Sequence, residues 1–237
     1  MKVTICPGKA SGIVAAPPSK SMAHRALICA ALSQGTSRIS GLAYSEDILA
    51  TLDCLRALGA VCTVDGDTVT VTGTDPFRAA PSQPLRCRES GSTLRFFIPL
   101  ALLCGKTVTF TGTETLLSRP LGVYEQLCRE QGSLYEHSAD SLRVCGKLAG
   151  GTYALPGDVS SQFITGLLLA LPLTEHSSLA LPRGVEVITF TTSSLKVHLT
   201  GLFNLSLIIR LTRSIAFISA LFSATTENLL VLGMLFL

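Results

Sequence analysis

Three segments of the chain superimpose at a nearly constant interval. Ala31-Leu32 aligns with Ala101-Leu102 and with Ala170-Leu171, offsets of 70 and 69 residues. In this register Ser21 falls on Gly91 and on Ser160, and Arg25 falls on Arg95. Each copy opens on a small or polar turn and continues as an apolar helix. Each closes at Ser33-Gln34-Gly35-Thr36, Leu103-Cys104-Gly105-Lys106 or Leu173-Thr174-Glu175-His176. Strand-like runs follow at Ser37-Arg38-Ile39 and Thr107-Val108-Thr109-Phe110. Second helices are predicted over 48–58 and 121–131, stopped by Gly59 and Gly132, because glycine accepts the left-handed conformation that ends a helix. Hairpins are predicted over 61–71 through Asp65-Gly66-Asp67 and over 133–144 through Ser138-Ala139-Asp140. A copy therefore reads as β-α-β-α-β-β, an α/β (α+β) unit of about 70 residues, which is a packed subdomain and not a solenoid turn.

The chemistry lies where the first helix of each copy begins. Pro17-Pro18 keep the chain extended up to Ser19. Ser19 or Ser21 then caps a helix that carries Lys20 at its start and Arg25 one turn above Ser21. Free N–H groups, the positive end of the dipole, an ammonium and a guanidinium together suit a phosphate or carboxylate. The plainer reading is a capped surface helix with solvated cations. The second start, Glu89-Ser90-Gly91-Ser92-Thr93-Leu94-Arg95, has a glycine that admits a ligand to the backbone, hydroxyls at Ser92 and Thr93, and Arg95. The third is Pro156-Gly157-Asp158-Val159-Ser160-Ser161-Gln162-Phe163, ahead of a helix over 164–171. Three polar starts on otherwise apolar helices point to one convergent site. Between them Arg119 precedes Pro120, which is predicted as a first helical residue. A cation at a helix start opposes the dipole, so Arg119 is expected either to meet an anion or to stay solvated.

Composition narrows the alternatives. The net charge of +3, the absence of Trp and an aromatic content of 6% offer neither a basic footprint nor a stacking platform for nucleic acid. The eight cysteines (6, 29, 54, 62, 87, 104, 128 and 145) form no C-x-x-C pair. They read as reduced core thiols of a cytoplasmic protein, and the histidines have no metal-site spacing. Residues 1–7 read as a short strand and not as a signal peptide.

Four stretches carry a resemblance: Pro-Ser-Lys-Ser-Met-Ala-His-Arg-Ala-Leu at 18–27, Glu-Ser-Gly-Ser-Thr-Leu-Arg at 89–95, Leu-Ser-Arg-Pro-Leu at 117–121 and Gly-Asp-Val-Ser-Ser-Gln-Phe at 157–163. In this order they resemble the enolpyruvylshikimate-phosphate synthases, from Met1 to about Leu173. The resemblance implies transfer of the enolpyruvyl group of phosphoenolpyruvate to shikimate 3-phosphate, with release of phosphate and no metal or organic cofactor. It implies that Lys20, Ser21 and Arg25 hold shikimate 3-phosphate, with Lys20 also reaching phosphoenolpyruvate. By the same resemblance Gly91 and Arg119 hold phosphoenolpyruvate, and Ser160, Ser161 and Gln162 complete the shikimate 3-phosphate site, with Gln162 near both ligands. Ser92 and Arg95 are further candidates from the residues themselves. The family fold has two domains, each of three βαβαββ units. The expected layout is therefore a strand of the other domain over 1–15 and a domain over 16–180, with units about 16–80, 81–150 and a partial 151–180.

Beyond about residue 180 the pattern departs from the family. The tail is rich in Leu, Ile, Ser and Thr, and only Glu186 and Glu227 are acidic after Glu175. The acid and base carboxylates that the family draws from its other domain have no counterpart here. Arg210, Arg213 and the Thr225-Thr226-Glu227-Asn228 break interrupt the apolar tail, so no membrane span is expected. Read one base out of register, Pro182-Arg183-Gly184-Val185-Glu186 permits Pro-Val-Glu-Ser-Arg, similar to what the family places there, and a shifted reading frame is the expectation for 181–237. The chain is expected to be monomeric, with Lys20 its one catalytic candidate and without turnover by itself. The alternatives are a non-catalytic shikimate 3-phosphate-binding fragment and a relative of the enolpyruvyl transferase acting on UDP-N-acetylglucosamine.

Overall fold

Ser19 caps the first described helix, its hydroxyl accepting from the Met22 N–H at 3.3 Å at the start of α1 (Lys20–Leu32). The computed structural model describes residues 4, 12–155 and 160–180, and the backbone alone of 181, 185–191, 194–199 and 205–210. The expected strand at 1–7 and the turn residues Pro156 to Val159 lie outside the described residues.

After α1 come β1 (Thr36–Ile39), α2 (Glu46–Ala57), β2 (Val61–Asp65) and β3 (Thr68–Thr72), with the strands pairing antiparallel in the order β1-β3-β2. A second stretch follows as β4 (Leu85–Arg88), α3 (Gly91–Ala101), β5 (Val108–Gly112), the short α4 (Glu114–Leu117), α5 (Gly122–Glu130), β6 (Leu134–His137) and β7 (Ser141–Cys145). Its sheet runs β4-β5-β7-β6, with β4 and β5 parallel across α3. The third begins alike: β8 (Thr152–Ala154), α6 (Ser161–Ala170) and β9 (Ser177–Leu181), with β8 and β9 parallel across α6. It then diverges. Where β5 is followed by helices and a hairpin, β9 pairs directly with β10 (Val185–Thr191), and β11 (Ser194–Leu199) and β12 (Leu205–Arg210) extend an antiparallel meander.

Helices α1, α3 and α6 lie in the interior, and the sheets close around it. In α3, Leu94, Phe96, Phe97, Ile98 and Leu100 are all buried, an apolar surface all round that only a central helix can bury. Leu27 and Ile28 of α1 and Leu167 of α6 meet the same core, which Val69, Val71, Phe110, Leu142 and Val144 close from the sheets. Each such side chain contributes about 1.5–3 kcal/mol by leaving water. Cys29, Cys54, Cys87, Cys104 and Cys128 are buried free thiols, and Cys62 and Cys145 are half-buried ones. Among the described residues no helix is long and apolar enough to cross a membrane.

Two turns aim residues into the site. Arg88 adopts a positive φ of 53°, rare for an L residue. It is held there by side-chain bonds to Glu46 at 2.5 Å and Asp53 at 2.8 Å on α2, and by its carbonyl accepting from Thr113 N. This redirects β4 into the start of α3. The second turn corrects the sequence reading: Pro120 is not a first helical residue. Arg119 N still bonds the Leu116 carbonyl, closing the last turn of α4, and α5 starts at Gly122 after Leu121, whose φ of −125° is not helical. Arg119 therefore occupies the link between two helices.

Candidate functional site

Three helix N-termini are tied together by side chains. Lys20, half-exposed at the start of α1, donates from Nζ to Asp47 Oδ2 at 2.5 Å. Asp47 belongs to the first turn of α2, next to the Ser45 cap. Partial burial pushes its carboxyl up, but hydrogen bonds from Lys20 and Ser90 and the Lys20 charge outweigh that and hold it below the ordinary carboxylate range. Ser90 in turn caps α3, its hydroxyl accepting from the Thr93 N–H at 3.1 Å.

From Ser90 a buried polar chain runs back to α1. Thr93 Oγ1 donates to Ser90 Oγ at 2.7 Å, Thr51 and Thr93 hydroxyls meet at 2.9 Å, and His24 Nδ1 lies 2.7 Å from Thr51 Oγ1. If every proton points toward the Asp47 carboxylate, the chain is satisfied only when His24 carries its hydrogen on Nδ1. That assigns the tautomer and leaves Nε2, which is buried without a partner among the described residues, as a bare lone pair and not an orphaned donor. Burial lowers the His24 pKa from 6.5 to about 4, Asp47 opposing and Lys20 and Arg25 adding to the shift, so the ring is neutral near pH 7.

Arg25 is not the solvated cation of the plainer reading. It is 7% exposed, and its guanidinium donates to the Ser21 carbonyl at 2.8 Å and to Thr165 Oγ1 of α6 at 3.2 Å while lying over the Phe96 ring. Ser21 itself is exposed at the mouth of α1.

The second and third starts join at Arg95. Its Nη1 donates to Gln162 Oε1 at 2.7 Å, and Gln162 Nε2 donates to Ser92 Oγ at 2.8 Å, closing a loop between α3 and α6. Arg119 reaches the same place: a Cβ added to Gly91 would stand 2.6 Å from Arg119 Nη1 and 3.2 Å from Arg95 Nη1. A glycine is needed at this point for the two guanidinium groups to lie against the helix start. Burial, and then the neighbouring charge of Arg119, lowers the Arg95 pKa. Two guanidinium groups this close repel unless an anion comes between them. Ser160 caps α6, its hydroxyl 3.4 Å from Gln162 N, and both Ser160 and Ser161 are exposed.

The structure thus brings Lys20 against Asp47, Arg25 against α6, and Gly91, Ser92, Arg95, Arg119 and Gln162 into one cluster. The sequence reading gave Thr93 as a hydroxyl of the second helix start but missed Asp47, Ser90, Thr51 and His24. An acidic residue in the first turn of a helix reads as ordinary dipole compensation, and its partner Lys20 is 27 residues away. Among the described residues no group of three His, Cys, Asp or Glu side chains could hold a metal ion.

Fold and site define a class: a mixed α/β protein whose interior helices bring polar N-termini and cations together. Residues 6–188 match the sequence model of EPSP synthase (3-phosphoshikimate 1-carboxyvinyltransferase), and the chain belongs to that family. It is 44% identical over 179 residues to the 3-phosphoshikimate 1-carboxyvinyltransferase of Clostridium perfringens, covering 75% of this chain and 42% of that protein. It is 45% identical over 178 residues to that of Clostridium kluyveri, covering 74% of this chain and again 42% of the relative. The structure of EPSP synthase from Acinetobacter baumannii superimposes with a TM-score of 0.62 at 27% identity, over 70% of this chain and 39% of that one. The chain therefore spans less than half the length of the relatives it matches.

Proposed function

We propose that this chain supplies the part of an enolpyruvyl transferase that takes up shikimate 3-phosphate and the anionic groups of phosphoenolpyruvate, and that by itself it binds without turning over. The observation that carries the reading is the pair of guanidinium groups, Arg95 and Arg119, laid against Gly91, with Arg95 braced by Gln162. In this reading Lys20, Ser21, Arg25, Ser160, Ser161 and Gln162 hold shikimate 3-phosphate, while Gly91 and Arg119, with Ser92 and Arg95, take phosphoenolpyruvate. Both substrates are phosphorylated carboxylates, and helix N-termini with cations suit them.

The reaction adds a hydroxyl across the double bond of an enol phosphate, and the tetrahedral adduct then loses phosphate and a methyl proton to give the enol ether. One group must protonate the methylene carbon and another must take the hydroxyl proton. Lys20 can neutralise charge or relay a proton. Asp47, the carboxylate beside it, is held below the ordinary range by that same lysine and is a poor base. This supports binding without turnover. We extend the reading to the layout: residues 1–15 as a strand of a second domain, 16–180 as a domain of repeated units, and 181–237 as the product of a shifted frame, which coding DNA with no other frame continuing the family pattern would refute.

The test is calorimetric titration of the chain with shikimate 3-phosphate, alongside phosphate release with both substrates. Saturable binding weakened by Lys20→Ala, with no phosphate release, is the expected result. Release that Lys20→Ala abolishes would mean the chain holds a working acid and base, and absence of binding would remove the proposal altogether.

A further inference from the structure

Pro99 stands inside α3. Proline has no N–H, so the carbonyl four residues earlier, that of Arg95, loses its helical donor. Tyr124 of α5 takes that place. Its hydroxyl donates to the Arg95 carbonyl at 2.6 Å, with the Phe163 carbonyl farther off at 3.4 Å, and its ring is 0% exposed. Gly166 of α6 makes the room, since a Cβ there would stand 2.4 Å from Tyr124 Oη and 2.6 Å from the Arg95 carbonyl. The Tyr124 ring also meets Phe163 edge-on, with centroids 5.1 Å apart. The Arg95 guanidinium lies 5.0 Å over that same Phe163 ring. Tyr124 therefore grips Arg95 at both ends, the backbone by a hydrogen bond and the side chain through Phe163.

We propose that Tyr124 is a positioning residue of the anion site, setting through the Arg95 carbonyl and the Phe163 ring where the Arg95 guanidinium and the Gln162 amide meet a bound phosphate or carboxylate. The inference rests on the reading of the Gly91, Arg95 and Arg119 cluster as an anion site, yet its first test needs no ligand. Tyr124→Phe keeps ring and volume and removes only the donor, leaving a buried carbonyl unpaired.

The experiment follows the Arg95 Nε–H in the full chain labelled with nitrogen-15 arginine, assigned through Arg95→Lys. This nitrogen is buried without a hydrogen-bond partner among the described residues, so its proton is expected to be shielded and to exchange slowly with water. In Tyr124→Phe the exchange is expected to be about tenfold faster, while the Arg25 signals, on α1, do not change. Pro99→Ala restores a helical donor for the same carbonyl, so adding it to Tyr124→Phe is expected to return the rate to within about twofold of the parent. A merely structural role for Tyr124 gives no such rescue. Unchanged exchange in Tyr124→Phe, or no recovery in the double variant, overturns the proposal. Titration with phosphoenolpyruvate in the presence of shikimate 3-phosphate then separates the two readings. Affinity lost in Tyr124→Phe and recovered in the double variant supports positioning. Faster exchange with no binding by any of the proteins overturns the anion-site reading while leaving the grip on Arg95 in place.

Discussion

His24 is the buried group that acid reaches first. Its pKa falls from 6.5 to about 4 on folding because burial opposes the charged ring. Between these values the unfolded chain binds the extra proton, so the native state has its full stability above pH 6.5 and loses it as pH falls through 4. The whole effect is about 3 kcal/mol. Urea midpoints of the chain are expected to fall between about pH 7 and about pH 4.5, and His24→Leu is expected to flatten that decline. An equal decline in the variant would show that another group sets it. Little of this was legible in the sequence. His24 lies within the 18–27 stretch but was given no role there, since its partner Thr51 is on α2, the next hydroxyl, Thr93, is on α3, and only folding aligns them. Lys20, Gly91 and Ser160 could be read because a helix start is a local matter of caps, glycine and charge.

At the scale of elements, α3 and α6 fit closely at Gly166. Gly166→Ala would press a methyl onto the Arg95 carbonyl, a backbone atom with nowhere to go, and is expected to cost about 1–3 kcal/mol. Gly122→Ala makes the fitting control. Nothing lies within 4 Å of a Cβ there, so better helix propensity is expected to leave stability unchanged or raised by a few tenths of a kcal/mol. Chemical denaturation of both variants checks the contrast, and equal midpoints would mean the joint can open without cost. Helix ends at Gly59 and Gly132 were readable, because both glycines take a positive φ (102° and 63°). Pro120 misled because proline favours a helix start only when the chain is free to begin one, and here α4 is still finishing its last turn.

For the whole molecule, placing helices inside and sheets outside leaves strand edges facing water. Val61 and Val64 of β2 and Leu134 of β6 are exposed at the edges of their sheets. Exposed apolar edges template pairing with other chains. Val64→Lys with Leu134→Lys is expected to lower light scattering by concentrated protein while leaving the unfolding midpoint within about 0.5 kcal/mol of the parent. Unaltered scattering would place the association elsewhere. The order of turn, apolar helix and strand was readable, and the two crossings β4-α3-β5 and β8-α6-β9 follow it. What the repeat could not convey is how the units are sewn together, because Arg95 to Gln162 and Arg25 to Thr165 span 67 and 140 residues.

The bond between Lys20 and Asp47 has a consequence for what the resting protein responds to. It makes the entrance an ion exchanger already loaded with its own carboxylate. A small monovalent anion offers Lys20 nothing that Asp47 does not, and so has no advantage in trading places with it. A multivalent ligand that also spans the neighbouring helix starts gains contacts that Asp47 cannot supply. The tethered carboxylate thus works as a filter set by valence and reach.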